Sequence, residues 1–187
     1  MELMHSIMGR RAVRSYTERP IARDVILDLV DAAIHAPSAM NLQPWSFAIV
    51  EGAAHLADLS VLAKRHLLSP QSGEPVSETH RVMLEDPGFN VFYGAPCLVV
   101  VCARPPSRQA TEDCCLAAQN LMLAAHGREL GTCWIGFSRP WLELPKTRAS
   151  LGLLPDQIPV APIIVGEPTS MPPPTKRHRP NVVWSSL

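Results

Sequence analysis

Apolar positions along the chain recur with two periods, and the period changes where turn residues cluster. In "ARDVILDLVDAAIHA", Ile26, Leu29, Val30, Ala33 and Ile34 fall at i, i+3, i+4, i+7 and i+8, with Asp24, Asp28 and Asp31 opposite. That spacing predicts an amphipathic helix, preceded by Pro20 and stopped by Pro37. "MELMHSIMGRR" predicts a short helix with Leu3, Met4, Ile7 and Met8 on one face. "AAHLADLSVLAKRHLL" predicts another amphipathic helix. "TEDCCLAAQNLMLAAHGREL" has helical character but is apolar almost all round, which suits a buried central helix. Thr111 is its expected N-cap and Gly131 its expected C-cap. A short helix is expected in "LPKTRASLGL".

Between these lie the strands. "WSFAIVE" is rich in β-formers and closed by Gly52. "CLVVVCA" is a continuous apolar run, as an interior strand covered on both faces would be. "TCWIGF" predicts a short strand, and "PVAPIIVGEP" carries the last one. "SPQSGEPVSETH" reads as a mobile loop. Helical segments between most strands predict an α+β fold, an α/β sandwich with a central mixed β-sheet flanked by helices. One domain is expected over residues 1–187. From 167 to 187 the chain turns proline-rich and basic and ends in an apolar "VVW". An extended arm fits that composition. Its apolar tip needs a surface, either its own chain or, preferably, a second subunit.

Composition narrows the function. Of the 187 residues 47% are hydrophobic, and the formal net charge is zero, so the chain should fold around a sizeable core. Balanced charge gives no general pull toward nucleic acid or an anionic membrane. The five cysteines form no C-x-x-C pair and the seven histidines no H-E-x-x-H, so buried thiols in a reducing cytosol are expected rather than disulfides or a metal. No long apolar segment suggests a signal peptide or a membrane span. There is also no G-x-G-x-x-G, no G-x-x-x-x-G-K-[ST] and no G-x-S-x-G. If the chain is an enzyme, a bound organic cofactor is the economical source of chemistry.

Three stretches could hold one. "GRRAVRSY" sets Arg10, Arg11 and Arg14 where guanidinium forks could converge on an anion; alone it reads more simply as a solvated basic turn. "APSAMNLQPWSF" places the amides of Asn41 and Gln43 after a helix stop, with Pro44 holding Gln43 extended and Trp45 anchoring the corner. A capped helix-to-strand turn explains it about as well. In "LGTCWIGF" the glycine closing the strand would let a flat ring approach the backbone, although a plain core strand is the commoner meaning.

In order and spacing, "RRAVRSY", "APSAMNLQPWSF", "YGAPCLVVV", "DCCLAAQNLMLAAHGRELGTCWIG" and "KRHRPNVV" resemble the FMN-dependent nitroreductase-like flavoproteins over nearly the whole chain. That resemblance implies a homodimer with FMN at the subunit interface and the C-terminal arm exchanged. It implies that Arg10, Arg11 and Ala12 meet the flavin phosphate and ribityl chain, and that Arg14 lies near the pyrimidine edge. Pro37, Ser38, Ala39, Asn41 and Gln43 would come from the other subunit. Ile135 and Gly136 would turn a backbone N–H toward flavin N5, and Lys176, Arg177 and Arg179 would reach the phosphate. NAD(P)H would reduce the flavin by hydride transfer to N5, and a nitroaromatic or quinone-like acceptor would then reoxidise it, in ping-pong order. No side chain need act as acid or base, so no catalytic residue and no metal ligand is assigned. Ala12 stands where the family often has Ser, and His178 stands near a common Arg. A dehydrogenase, dehalogenase or flavin-fragmenting enzyme on the same scaffold, or a flavin carrier or sensor without turnover, are the alternatives.

Overall fold

The structure is a computed structural model and describes residues 2–185. Its sheet has four strands: β1 (Trp45–Glu51), β2 (Cys97–Ala103), β3 (Gly131–Trp134) and β4 (Ile158–Gly166), in the order β1-β2-β4-β3. All three ladders are antiparallel. Among the described residues parallel pairing is confined to one bridge, Ala12 to Thr132, and it is there that the expected mixed sheet is mixed.

β2 shows why a continuous apolar run is an interior strand. All seven residues are buried, and they alternate between two cores. Cys97, Val99, Val101 and Ala103 face one layer with α2 (Arg23–Ile34) and α5 (Arg108–Gly127). Leu98, Val100 and Cys102 face the other, covered by α3 (Ala53–Leu67) and α6 (Arg139–Leu142). A strand with helices on both faces has no polar side, which is the reason for the unbroken pattern.

In α2, Ile26, Leu29 and Ala33 are buried as the period predicts, and the three aspartates face out. α5 begins earlier than expected: Ser107, not Thr111, caps it by accepting the Ala110 N–H at 3.0 Å. Its end also moves. The helix stops at Gly127, and Gly131 opens β3 instead of capping the helix. α1 (Leu3–Gly9) is inverted relative to its apparent face. Ser6 is its buried residue, while Leu3, Met4, Ile7 and Met8 are exposed.

The expected loop at "SPQSGEPVSETH" holds a 3₁₀ turn (Pro70–Ser72) and the start of α4 (Glu78–Glu85), capped by the Ser77 hydroxyl. A short α7 (Pro145–Ser150) precedes β4. Beyond Gly166, the chain first runs beside residues 15–17 through the Thr17–Glu167 and Ser15–Thr169 backbone bonds. Most of residues 170–185 are exposed and without regular structure, and Trp184 is 90% exposed. Ser186 and Leu187, the last residues of the expected arm, lie outside the described residues, as does Met1.

Candidate functional site

The basic N-terminal stretch is fixed to the β3 edge of the sheet. Ala12 bridges to Thr132, the Val13 N–H donates to the Thr132 carbonyl at 2.9 Å, and Val13 is fully buried. Gly131 permits this contact. A Cβ there would lie 2.8–2.9 Å from three Val13 side-chain atoms. The chain therefore enters and leaves Val13 with its arginines held together at the rim.

Among the described residues these arginines have no carboxylate partner. Burial, then Arg177, then Arg11, pull the Arg10 guanidinium below its ordinary pKa, although an arginine remains charged. The nearby His126 imidazole is likewise pulled down by burial, His5, Arg10 and Arg11. Both shifts come first from burial and then from neighbouring basic groups. Arg11 donates through Nη1 to the carbonyls of Met8 (2.7 Å) and Arg10 (2.8 Å), and its Nε is buried with no partner. Such an orphaned donor is costly to bury, and an anion would relieve it. Of the late basic residues, Arg177 is the one whose charge acts on Arg10; Lys176, Arg177 and Arg179 are all exposed, with no ion pair among the described residues.

Beside the cluster opens a cleft of about 300 Å³, lined by Arg14, Tyr93 and Phe137 among others and floored by the 133–136 segment. Arg14 lies 5.8 Å from the Tyr93 ring centroid, within cation–π range. The Ile135 N–H is not free, since it donates to Pro162 O at 2.8 Å. Gly136 follows at the start of a 3₁₀ turn, whose first N–H groups have no partner inside the turn. Apart from its two chain neighbours, no atom of the described residues lies within 4 Å of where its Cβ would be. Of the expected pair, Gly136 is the residue whose N–H has no partner among the described residues. The Cys133 thiol, also in the cleft, is pushed up by burial despite Arg14 and Arg10. It is poorly suited to act as a thiolate. Cys97, Cys102 and Cys114 are pushed up to about 12 by burial, and all five cysteines are free. Among the described residues no three His, Cys, Asp or Glu side chains cluster as metal ligands would.

The 37–43 corner lies elsewhere. It leads into β1, at the opposite edge of the sheet from β3. Three strand spacings, ~14 Å, separate the two edges. The corner is shaped by its own bonds. The Ala39 N–H donates to both carboxylate oxygens of Asp113 at 3.2 Å. The Gln43 N–H donates to Ser38 Oγ at 3.0 Å, and Gln43 Nε2 to Asn41 Oδ1 at 2.9 Å. Met40, Asn41 and Gln43 have φ of 52°, 55° and 48°. Gln43 is thus left-handed rather than held extended by Pro44, because its N–H is drawn in by Ser38. Trp45 does anchor the corner, partly buried against the α2–α5 core. Pro37, Asn41 and Gln43 are exposed, and Ser38 and Ala39 are half-buried.

Sequence reading missed Tyr93, Phe137 and Asp113. Tyr93 was visible inside "YGAPCLVVV", but only its φ of 54° and its place under Arg14 mark it as a site residue. Asp113, two residues after the expected N-cap Thr111, is 6% exposed and holds the corner through the Ala39 N–H.

Helices thus cover both faces of the sheet, and an arginine rim with no carboxylate partner among the described residues borders a cleft that has Tyr93 and Phe137 in its walls. Residues 7–167 match the family model described as Nitroreductase family. The chain belongs to the nitroreductase family. It is 28% identical over 176 residues to the "Putative NADH dehydrogenase/NAD(P)H nitroreductase" of Methanothermobacter thermautotrophicus, covering 92% of this chain and 80% of that one. It is 27% identical over 194 residues to a nitrobenzene nitroreductase of Ectopseudomonas oleovorans, covering 86% and 84%. The crystal structure of a Bacteroides fragilis nitroreductase with bound FMN superposes with a TM-score of 0.82 at 24% identity, covering 100% of this chain and 99% of that one. No helix among the described residues is long and apolar enough to cross a membrane.

Proposed function

We propose that this chain is an FMN-dependent NAD(P)H oxidoreductase that works as a homodimer. In this reading each cofactor lies between the arginine edge of one subunit and the 37–43 corner of its partner. The observation that carries it is the separation of the two polar half-sites on opposite edges of one sheet. Neither half encloses a ligand alone, whereas two copies can present one edge to the other.

The residues present fit the cofactor. Arg10, Arg11 and Arg177 supply the uncompensated charge and the orphaned Nε that a phosphate would satisfy. Arg14 would place positive charge at the ring edge, and Gly136 would offer an N–H and clear space above it. Asn41 and Gln43 would supply amides from the partner. Bound FMN would supply hydride exchange between a nicotinamide and a nitroaromatic or quinone-like acceptor. The walls at Tyr93 and Phe137 would hold a flat acceptor and exclude water.

The exposed apolar face of α1 and the exposed Val182, Val183 and Trp184 support an arm laid on a second copy. A nicotinamide-fed enzyme with five free thiols suits the cytosol, where we place it.

The test is complementation between two defective chains. Arg10→Ala/Arg177→Ala removes charge from one edge, and Asn41→Ala/Gln43→Ala strips the corner. Each variant alone should lose FMN and NAD(P)H:menadione activity. A co-expressed mixed dimer should regain one intact site per dimer. Absence of regained FMN in an isolated mixed dimer would reject the shared site. A wild-type protein that stays colourless with added FMN would reject the flavin assignment.

A further inference from the structure

Ten of the 17 Lys and Arg side chains have a carboxylate or a backbone-carbonyl partner. Arg19, Arg23, Arg81, Arg104, Arg108, Arg128 and Arg139 each pair with a carboxylate. Arg11, Lys64 and Arg148 donate to backbone carbonyls. Setting aside the arginine edge and the arm, the Lys and Arg side chains with neither kind of partner among the described residues are Arg65 and Lys146. They lie 81 positions apart in sequence, yet both rim one cleft.

This cleft, about 540 Å³, lies between α3 and the α6–α7 segment, outside the 300 Å³ cleft. Its apolar walls are Leu59, Leu62, Trp141 and Leu144, and His66 adds a ring nitrogen at the rim. No Asp or Glu lines it. An apolar hollow bordered by two unpaired cations fits a ligand that is flat and apolar at one end and anionic at the other.

The geometry points to a second, non-flavin binding site here, for an aromatic carboxylate. Its ring system packs against the leucines and Trp141. Its carboxylate sits between the Arg65 guanidinium and the Lys146 ammonium, where charge-assisted hydrogen bonds are stronger than neutral ones. Water could solvate either cation separately, but the shared rim favours a single anion that reaches both. The site needs no second subunit and does not depend on the flavin assignment.

The experiment uses the full-length protein with FMN added to saturation, amide-resolved NMR, and naphthoate with its neutral counterpart naphthamide. Naphthoate should shift the amides of Leu62, Arg65, Lys146 and Thr147, and naphthamide should bind roughly tenfold or more weakly, because it lacks the charge that both cations require. Arg65→Glu/Lys146→Glu should cost naphthoate at least about tenfold while leaving the rest of the spectrum folded. Equal affinity for acid and amide would overturn the inference. So would unchanged affinity in the double variant, naphthoate shifts confined to Tyr93 and Gly136, or no binding at millimolar concentration. Failure to retain FMN would be read separately from the flavin colour and would leave the α3–α7 shifts interpretable.

Discussion

The arginine edge and the 37–43 corner are built by opposite means. At the edge, tertiary packing fixes the backbone: Val13 is fully buried and Ala12 bridges to β3, while the charges are left unneutralised. At the corner the polar groups are largely satisfied among themselves and by Asp113, while three non-glycine residues are held at positive φ and Met40 is 91% exposed. One half stores electrostatic cost and the other backbone strain. Both costs are of the kind found at functional sites, and an anionic cofactor would relieve only the first. The edge should therefore contribute more to affinity than the corner, which mainly sets the shape of the site.

The largest expected effect follows from the charges. Arg10→Ala/Arg177→Ala should weaken FMN binding about a hundredfold or more, since charge-assisted bonds contribute about 1.5–3 kcal/mol each. Flavin-fluorescence titration reads it. Folding stability should hold or rise slightly, because crowded cations are removed. A loss of stability would mean that the guanidinium groups serve the fold. Next comes Gly136→Val. Its Cβ would meet no atom of the described residues apart from its two chain neighbours, so thermal stability should change little. FMN binding or reduction should fall about tenfold, on the order of one lost close contact. Unchanged flavin behaviour would remove Gly136 from the site.

Gly131→Ala probes packing under the edge. Its Cβ would press on Val13 at 2.8 Å, and overpacking of this kind costs about 1–3 kcal/mol. Denaturant unfolding should show that loss, and FMN affinity should fall with it as the arginine segment is displaced. Asp113→Ala is the corresponding probe of the corner. It strands the Ala39 N–H, at about 1–2 kcal/mol. Because the corner mainly sets shape, FMN affinity should drop less than in the arginine variant. A larger drop would invert the ranking of the two halves.

Both regions were visible as short motifs, for different reasons and to different depths. The fold was legible where the hydrophobic period reports burial, as in β2 and α2. It was not legible in α1, where the apolar stripe faces outward and the buried residue is Ser6. Periodicity states which face is apolar, but not what covers it. Cap residues misled for a related reason. Gly131 followed a helix and looked like its C-cap, yet it is glycine because Val13 crosses it. Likewise Pro44 suggested an extended Gln43, and a side chain five positions back overrode that local preference. The arginine edge was readable as charge, whereas its lack of carboxylate partners among the described residues belongs to tertiary structure.

The smallest expected effect tests the strain assigned to the corner. Met40 has φ 52° and a side chain open to solvent, so few contacts are at stake. Left-handed backbone costs an L-residue about 1–2 kcal/mol, which glycine avoids. Glycine also loses more entropy on folding, about 0.5–1 kcal/mol relative to alanine. Met40→Gly should therefore be neutral or stabilising by at most about 1 kcal/mol, measured by chemical denaturation. The corner differs from the edge only if its shape comes from backbone conformation held by local bonds. A clear destabilisation by Met40→Gly would show that the exposed methionine itself is needed. In that case the corner would depend on side-chain contact as the edge depends on Val13, and the contrast between the two halves would fail.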